Sequence, residues 1–225
     1  MLDLATSDPS FVVVCRSGGD YNIKHAECLR RQFYAHNRDA RFKFYCITDT
    51  PSEDWHVPMR TKWTGWWSVL EAYRFCGPTI LVGLDTLICD SLKPFTDLAM
   101  SCEPNAIYGI HDFLRPKWSD GVCIWNGDHR VVAECFDQER SVQRPADHKT
   151  IWGVMDFSAT EMVNLGIDRR YLDDLIPGIK AHYVPASHPL HATSREGTRI
   201  VCWASHPRPW MCKTWAGDEY RSYMK

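Results

Sequence analysis

Three runs of apolar or nearly apolar residues, each stopping at charged or hydroxyl-bearing side chains, constrain this chain most. They are Phe11–Cys15 before Arg16, Phe42–Ile47 before Thr48-Asp49, and Thr79–Leu84 before Asp85-Thr86. A strand that faces water on one side alternates apolar and polar residues, whereas a run without alternation is a strand covered on both faces. Between these runs, Ile23 to about His36 places Ile23, Ala26, Leu29 and Phe33 on one helical face. Gly65 to Phe75 reads as a second helix, ended by Gly77-Pro78. Trp55–Met59 reads as a further short strand. Alternation of strand and helix predicts a mostly parallel sheet with helices on both sides. Ligands of such sheets bind beyond the carboxyl ends of the strands. Arg16–Tyr21, Asp49 and Asp85-Thr86 are therefore expected along one edge.

The later half is less regular. Ala106–Ile110 and Gly121–Trp125 read as strands, His129–Phe136 and Phe157–Leu165 as helices, and His182–Val184 and Arg199–Trp203 as late strands. No linker divides the chain. The expectation is one α/β, Rossmann-like domain over residues 1–225, with a central mixed, mostly parallel sheet and residues 1–10 as a flexible lead-in.

Composition narrows the class. With 225 residues, 44% hydrophobic and 24% charged, the chain can bury a sizeable core and does not read as disordered. A formal net charge of −2 provides no bulk attraction to nucleic acid or an anionic membrane. A local basic face from Arg195, Arg199, Arg208, Lys213 and Arg221 stays open. Met1–Ser10 has no apolar core of a signal peptide, and no run is long enough to span a bilayer. The ten cysteines lack CxxC spacing, and Cys15, Cys46 and Cys202 stand where a strand wants a small hydrophobe. Reduced core thiols in a cytoplasmic protein are the expectation. Ten tryptophans exceed ordinary usage, and Trp63, Trp66 and Trp67 crowd together. With Trp66 and Trp67 adjacent on a helix, one is expected in the core and the other at the cleft.

An acid ending a buried strand suits a diphosphate held through a divalent cation, because hard cations prefer carboxylate oxygen. Taken alone, Asp85 fits a helix N-cap equally well. Ser17-Gly18-Gly19 lacks the GK[ST] ending of a P-loop, and no G-x-S-x-G elbow occurs. Proline between His188 and His191 speaks against a helical metal pair there.

The order of motifs resembles glycosyltransferases of the GT-A fold, close to family eight and its small bacterial and phage relatives. Val12–Val14 followed by Gly19 and Tyr21 is similar to that group's first strand and loop. Thr48-Asp49-Thr50-Pro51 resembles its Thr-Asp-x-Pro turn, and Gly65-Trp66-Trp67-Ser68-Val69-Leu70-Glu71 its GWWxKxE helix, with Val69 at the lysine position. Val82-Gly83-Leu84-Asp85-Thr86 resembles the LDLDT strand end, and Ser119-Asp120-Gly121-Val122-Cys123-Ile124-Trp125 the N-S/A-G-V-x-x-W strand. Trp203-Ala204-Ser205-His206-Pro207-Arg208-Pro209-Trp210 is similar to the late F-H-G-x-P-K-P-W segment. The likeness runs over roughly residues 11 to 211.

The resemblance implies a nucleotide-sugar donor, with UDP as the nucleotide. It implies that Arg16, Ser17 and Tyr21, with Asp49 nearby, hold the nucleobase and ribose, and that Arg74 reaches the donor. Of the Asp-x-Asp pair that binds Mn²⁺ or Mg²⁺, Asp85 is present as the single candidate metal ligand, Gly83 replaces the other acid, and Thr86 follows. The metal-binding histidine falls at Ala204, with His206 two residues on and Trp210 closing the motif. Arg208 takes the place of the lysine that contacts the diphosphate, and Asp156-Phe157 is the counterpart of an Asp-Gln pair near the reacting sugar. Loss of two metal ligands implies weak or no metal dependence, with Arg208, Arg74 and Arg16 stabilising the leaving group.

The expected activity is hexosyl transfer from a UDP-sugar to an acceptor hydroxyl by direct displacement. Asp85 and Arg208 hold the diphosphate, and the acceptor approaches from the side of Asp120, Asp156 and Trp125. Likeness to family eight implies retention at the anomeric carbon. A glycan, a small molecule or a modified DNA base are all open as acceptor, the last as in phage enzymes that glycosylate DNA. A catalytically inactive nucleotide- or sugar-binding module is the alternative from another class.

Overall fold

The computed structural model describes residues 3–137, 153–182, 188, 190–203 and 206–225. Its centre is a seven-stranded sheet in the order β3-β2-β1-β4-β7-β6-β8. The strands are β1 (Ser10–Cys15), β2 (Lys43–Thr48), β3 (His56–Pro58), β4 (Gly77–Val82), β6 (Ala106–His111), β7 (Trp118–Gly127) and β8 (Asp168–Tyr171). All run parallel except β7, which is antiparallel to β4 and β6. A second sheet orders β5 (Thr86–Ile88), β10 (Ile200–Trp203) and β9 (Ile179–His182).

Both faces of the main sheet are covered, which is why β1 has no polar face. Phe11, Val13 and Cys15 pack with Ala26, Leu29 and Phe33 of α1 (Ile23–His36), with Phe95 of α2 (Lys93–Ser101), and with Ile88, Ile179 and Ile200 of the second sheet. Val12 and Val14 point the other way, toward Leu70 and Tyr73, Val132 of α3 (Arg130–Glu134) and Phe157 of α4 (Val154–Asn164). A third cluster joins Cys28 of α1 to Val201 and Trp203 of β10 and to Ala216 and Tyr220 of α5 (Trp215–Tyr223).

Gly65–Arg74 is helical, as its pattern predicts, but as 3₁₀ turns. A three-residue period stacks Trp67, Leu70 and Tyr73 against the core and lines up Ser68, Glu71 and Arg74 beside them, all three of these polar groups buried. Residues ahead of β1 are tied to this helix. The Ala5 N–H donates to the Arg74 carbonyl, the Cys76 N–H to that of Thr6, and Ser10 already belongs to β1. Strand β10 falls within the expected Arg199–Trp203, whereas β5, α2, β8 and α5 carry no clear periodic signal in the sequence. The late strand expected at His182–Val184 lies at Ile179–His182, with 183 and 184 outside the described residues. All ten cysteines are free thiols, and eight are buried. No helix among the described residues is long and apolar enough to cross a membrane.

Candidate active site

Strand β1 has β2 on one side and β4 on the other, so connections diverge at its carboxyl end, where an open α/β sheet leaves a crevice. A cleft of about 740 Å³ occupies this place. Its lining brings together Arg16, Ser17 and Tyr21 after β1, Gly83 and Asp85 after β4, Trp66 of the 3₁₀ helix, Asp120 of β7, and Arg208. The Gly83 N–H donates to the Gly121 carbonyl at 3.0 Å, which docks the start of β7 beside the end of β4.

Asp85 is the polar centre of the floor. Tyr21 donates its hydroxyl to Oδ2 at 3.2 Å, and Nη1 of Arg208 lies 3.6 Å from the same oxygen. Burial raises the Asp85 pKa, against the hydrogen bonds from its own backbone and Tyr21 and the Arg208 charge. Burial and the facing Asp85 carboxylate likewise raise that of the Tyr21 phenol. The Arg208 guanidinium lies 5.0 Å above the Tyr21 ring. Its Nε and Nη2 both donate to Oδ2 of Asp20, at 3.0 and 2.9 Å. Asp20 also lines the cleft, yet its role is invisible in the sequence, because its partner is 188 residues away.

Asp120 is only 8% exposed, and among the described residues no other side chain donates to it. Burial, with the Asp156 charge adding to it, pushes its pKa up to about 7. A carboxyl balanced near neutrality at a cleft wall is suited to moving a proton.

Several expected residues lie outside the cleft lining. Asp49 accepts from the Ser17 N–H at 2.9 Å and from its hydroxyl at 2.6 Å, fixing the start of the loop. Burial works against its charge, yet these bonds, its own backbone and Arg16 hold its pKa below the ordinary range. Arg74 does not reach the cleft: it is 2% exposed and bound to Glu71 at 2.9 Å, to Asp3, and to the Pro58 carbonyl at 3.0 Å. Asp156 is turned into an ion pair with Lys117 at 3.1 Å and Arg115 at 3.6 Å. Thr86 is buried in β5, opposite Cys202. His206 is exposed, 3.4 Å from Asp20, and Trp210 packs edge-on against Tyr21 at 5.4 Å; they flank Arg208 without lining the cleft. Trp66 and Trp67 divide as expected. Trp66 is 65% exposed at the cleft, while Trp67 stacks on Phe136 at 4.6 Å.

The donor set does not fit a divalent cation. A Cβ at Gly83 would stand 2.8 Å from Oδ1 of Asp85, so an acid there and this placement of Asp85 exclude each other. Oδ2 of Asp85 already faces a phenol and a guanidinium. Among the described residues no three or more His, Cys, Asp or Glu side chains group as metal ligands, and Ala204 lies outside them.

No protein-family model and no curated protein matches the sequence. Solved structures do match. One is the galactosyltransferase LgtC in complex with donor and acceptor sugar analogs, at 13% identity and TM-score 0.62, covering 96% of this chain and 95% of LgtC. The apo form of the glycosyltransferase GlyE from Streptococcus pneumoniae TIGR4 matches at 12% identity and TM-score 0.65, covering 97% of this chain and 60% of GlyE. A glycosyltransferase involved in glycosylation of the major capsid of PBCV-1 matches at 13% and 0.54, covering 96% of this chain and 100% of that one. At such identities the likeness is one of fold, and the chain has the GT-A-type fold of these glycosyltransferases.

Proposed function

We propose that this protein is a glycosyltransferase that moves a sugar from a nucleotide-sugar donor, a UDP-sugar, to an acceptor hydroxyl. The observation that carries this reading is the convergence of Asp85 and Arg208 on the floor of the cleft, beside the Arg16–Tyr21 loop. In the proposed reaction the acceptor oxygen bonds to the anomeric carbon as the bond from that carbon to the diphosphate oxygen breaks. The nucleoside diphosphate leaves with the electron pair, and Arg208 neutralises it through a fork suited to phosphate oxygens. Asp120 takes the acceptor proton. Arg208 supplies the positive charge that a cation would otherwise bring, so metal dependence is weak or absent. Eight buried free thiols suit a reducing, cytoplasmic setting.

The test is incubation with UDP- and GDP-sugars and measurement of released nucleotide. The wild type releases UDP, and Asp85→Asn, which loosens Tyr21 and the Arg208 fork that it faces, lowers turnover by about a hundredfold, with a melting temperature within a few degrees of wild type. UDP binding without any turnover would give the inactive binding module instead. A large fall in melting temperature for Asp85→Asn would make Asp85 a structural cap.

A further inference from the structure

The loop between β1 and α1 is held at its ends and loose between them. Ser17 is fixed by Asp49, and Asn22 caps α1. Gly18, at φ +91°, and Gly19 have no neighbouring atom within 4 Å of a built Cβ, and residues Ser17 to Asp20 are exposed. From this loop Asp20 places its carboxylate on Arg208, so one guanidinium hangs between two acids. Nε and Nη2 face Asp20, and Nη1 faces Asp85.

A diphosphate arriving at Arg208 brings negative charge to a place where two carboxylates already share one cation. The planar fork that binds a carboxylate is the one that binds phosphate oxygens, so the two compete for the same N–H groups. Of the two acids, Asp85 is tethered. Tyr21 donates to its carboxylate, the Trp203 N–H donates to its carbonyl, and the Tyr220 hydroxyl donates to the preceding Leu84 carbonyl. Asp20 rides on two glycines and is half exposed. It is the acid free to leave.

Resting on the glycosyltransferase reading, we propose that Asp20 is a positioning residue for Arg208: its carboxylate holds the guanidinium over Tyr21 in the empty cleft and is exchanged for the diphosphate of the arriving donor. Asp20 then sets donor affinity from below, because each binding event must first break its ion pair. Such partly exposed pairs are weak, and releasing one is expected to change affinity by about two- to fivefold.

Calorimetric titration of UDP at low salt into wild type, Asp20→Asn, Arg208→Ala and the double variant tests this. Asp20→Asn is expected to bind UDP about two- to fivefold more tightly, and Asp20→Glu to stay near wild type. The gain is expected to vanish in the Arg208→Ala background, since nothing is left to exchange. Unchanged or weaker binding by Asp20→Asn overturns the inference, as a loop disturbed by the substitution would bind less. An equal gain in both backgrounds also overturns it, because simple charge removal then accounts for the effect. Absence of UDP binding by the wild type would remove the glycosyltransferase reading and this inference together, whereas binding without coupling removes the inference alone.

Discussion

Asp120 has the same carboxyl chemistry as Asp85 but faces a different problem, since among the described residues no cation pairs with it. Its pKa of about 7 in the folded state, against 3.8 as the ordinary value, fixes the sign of a pH effect. Below about 4 both folded and unfolded chains hold the proton, and the carboxyl costs nothing. Between there and about 7 the folded protein keeps a proton that the unfolded chain releases, so stability falls by at most about 1.4 kcal/mol per pH unit. Above 7 the loss is complete. Buried histidines act in the opposite sense, His129 above all, its pKa pushed down to about 4 by burial. The comparison of wild type with Asp120→Asn therefore isolates the carboxyl. The melting temperature of the variant relative to wild type is expected to rise between pH 5 and pH 8. Turnover by the wild type is expected to increase over the same range, as the base loses its proton, and this limb disappears in the variant. Individual residues were legible in the sequence where one strand end determines their place, as for Asp85 and Gly83. Arg74 and Asp156 were not, because partners distant in the sequence (Asp3 and Pro58 for Arg74, Lys117 for Asp156) decide where each of these side chains points.

The helix Gly65–Arg74 shows what such partners do to an element. Glu71, fully buried, accepts from the N–H groups of Arg60 and Thr61, from the Thr61 hydroxyl and from Arg74. These bonds strap the segment after β3 onto the helix and neutralise an arginine inside the protein. Replacing Glu71 by Ala leaves two backbone donors without their acceptor and Arg74 with Asp3 and the Pro58 carbonyl as its remaining partners, at a cost of about 3–5 kcal/mol. Urea unfolding should show this as a lower midpoint with an unchanged slope; a loss below about 1 kcal/mol would mean that water reaches these groups. The sequence pattern showed that this segment is helical but not that its turns are 3₁₀, since a ten-residue apolar pattern is compatible with periods of three and of 3.6. Strands β1 and β4 were readable because both faces are buried along most of their length, and β2 because only Lys43 at its start is exposed. Strands β5 and β9, of three and four residues, are too short for a period to appear, and only their pairing to β10 makes them strands.

At the scale of the molecule, the segments that follow β1 and β4 lie side by side at one edge of the main sheet, and the cleft opens there. What this placement leaves open is how charge is balanced there. A cation held by two acids and a histidine would let the diphosphate bind through the metal; here Gly83, two residues before Asp85, has no side chain to serve as a second acid. A side chain at Gly83 would collide with the Asp85 carboxylate as it is placed, so an acid there would require Asp85 to turn. Arg208 reaches that carboxylate from the far end of the chain and brings a permanent positive charge with planar donors. If this fork replaces the cation, donor turnover in EDTA is expected to stay within about twofold of that in Mn²⁺, and Arg208→Ala is expected to lose about a hundred- to a thousandfold in turnover without recovery by Mn²⁺. Turnover should also fall as salt rises, because the attraction is between charges partly open to water. Activity abolished by EDTA and fully restored by Mn²⁺ would show instead that Asp85 turns away from Tyr21 and Arg208 to hold a metal, and that Arg208 is an accessory to it.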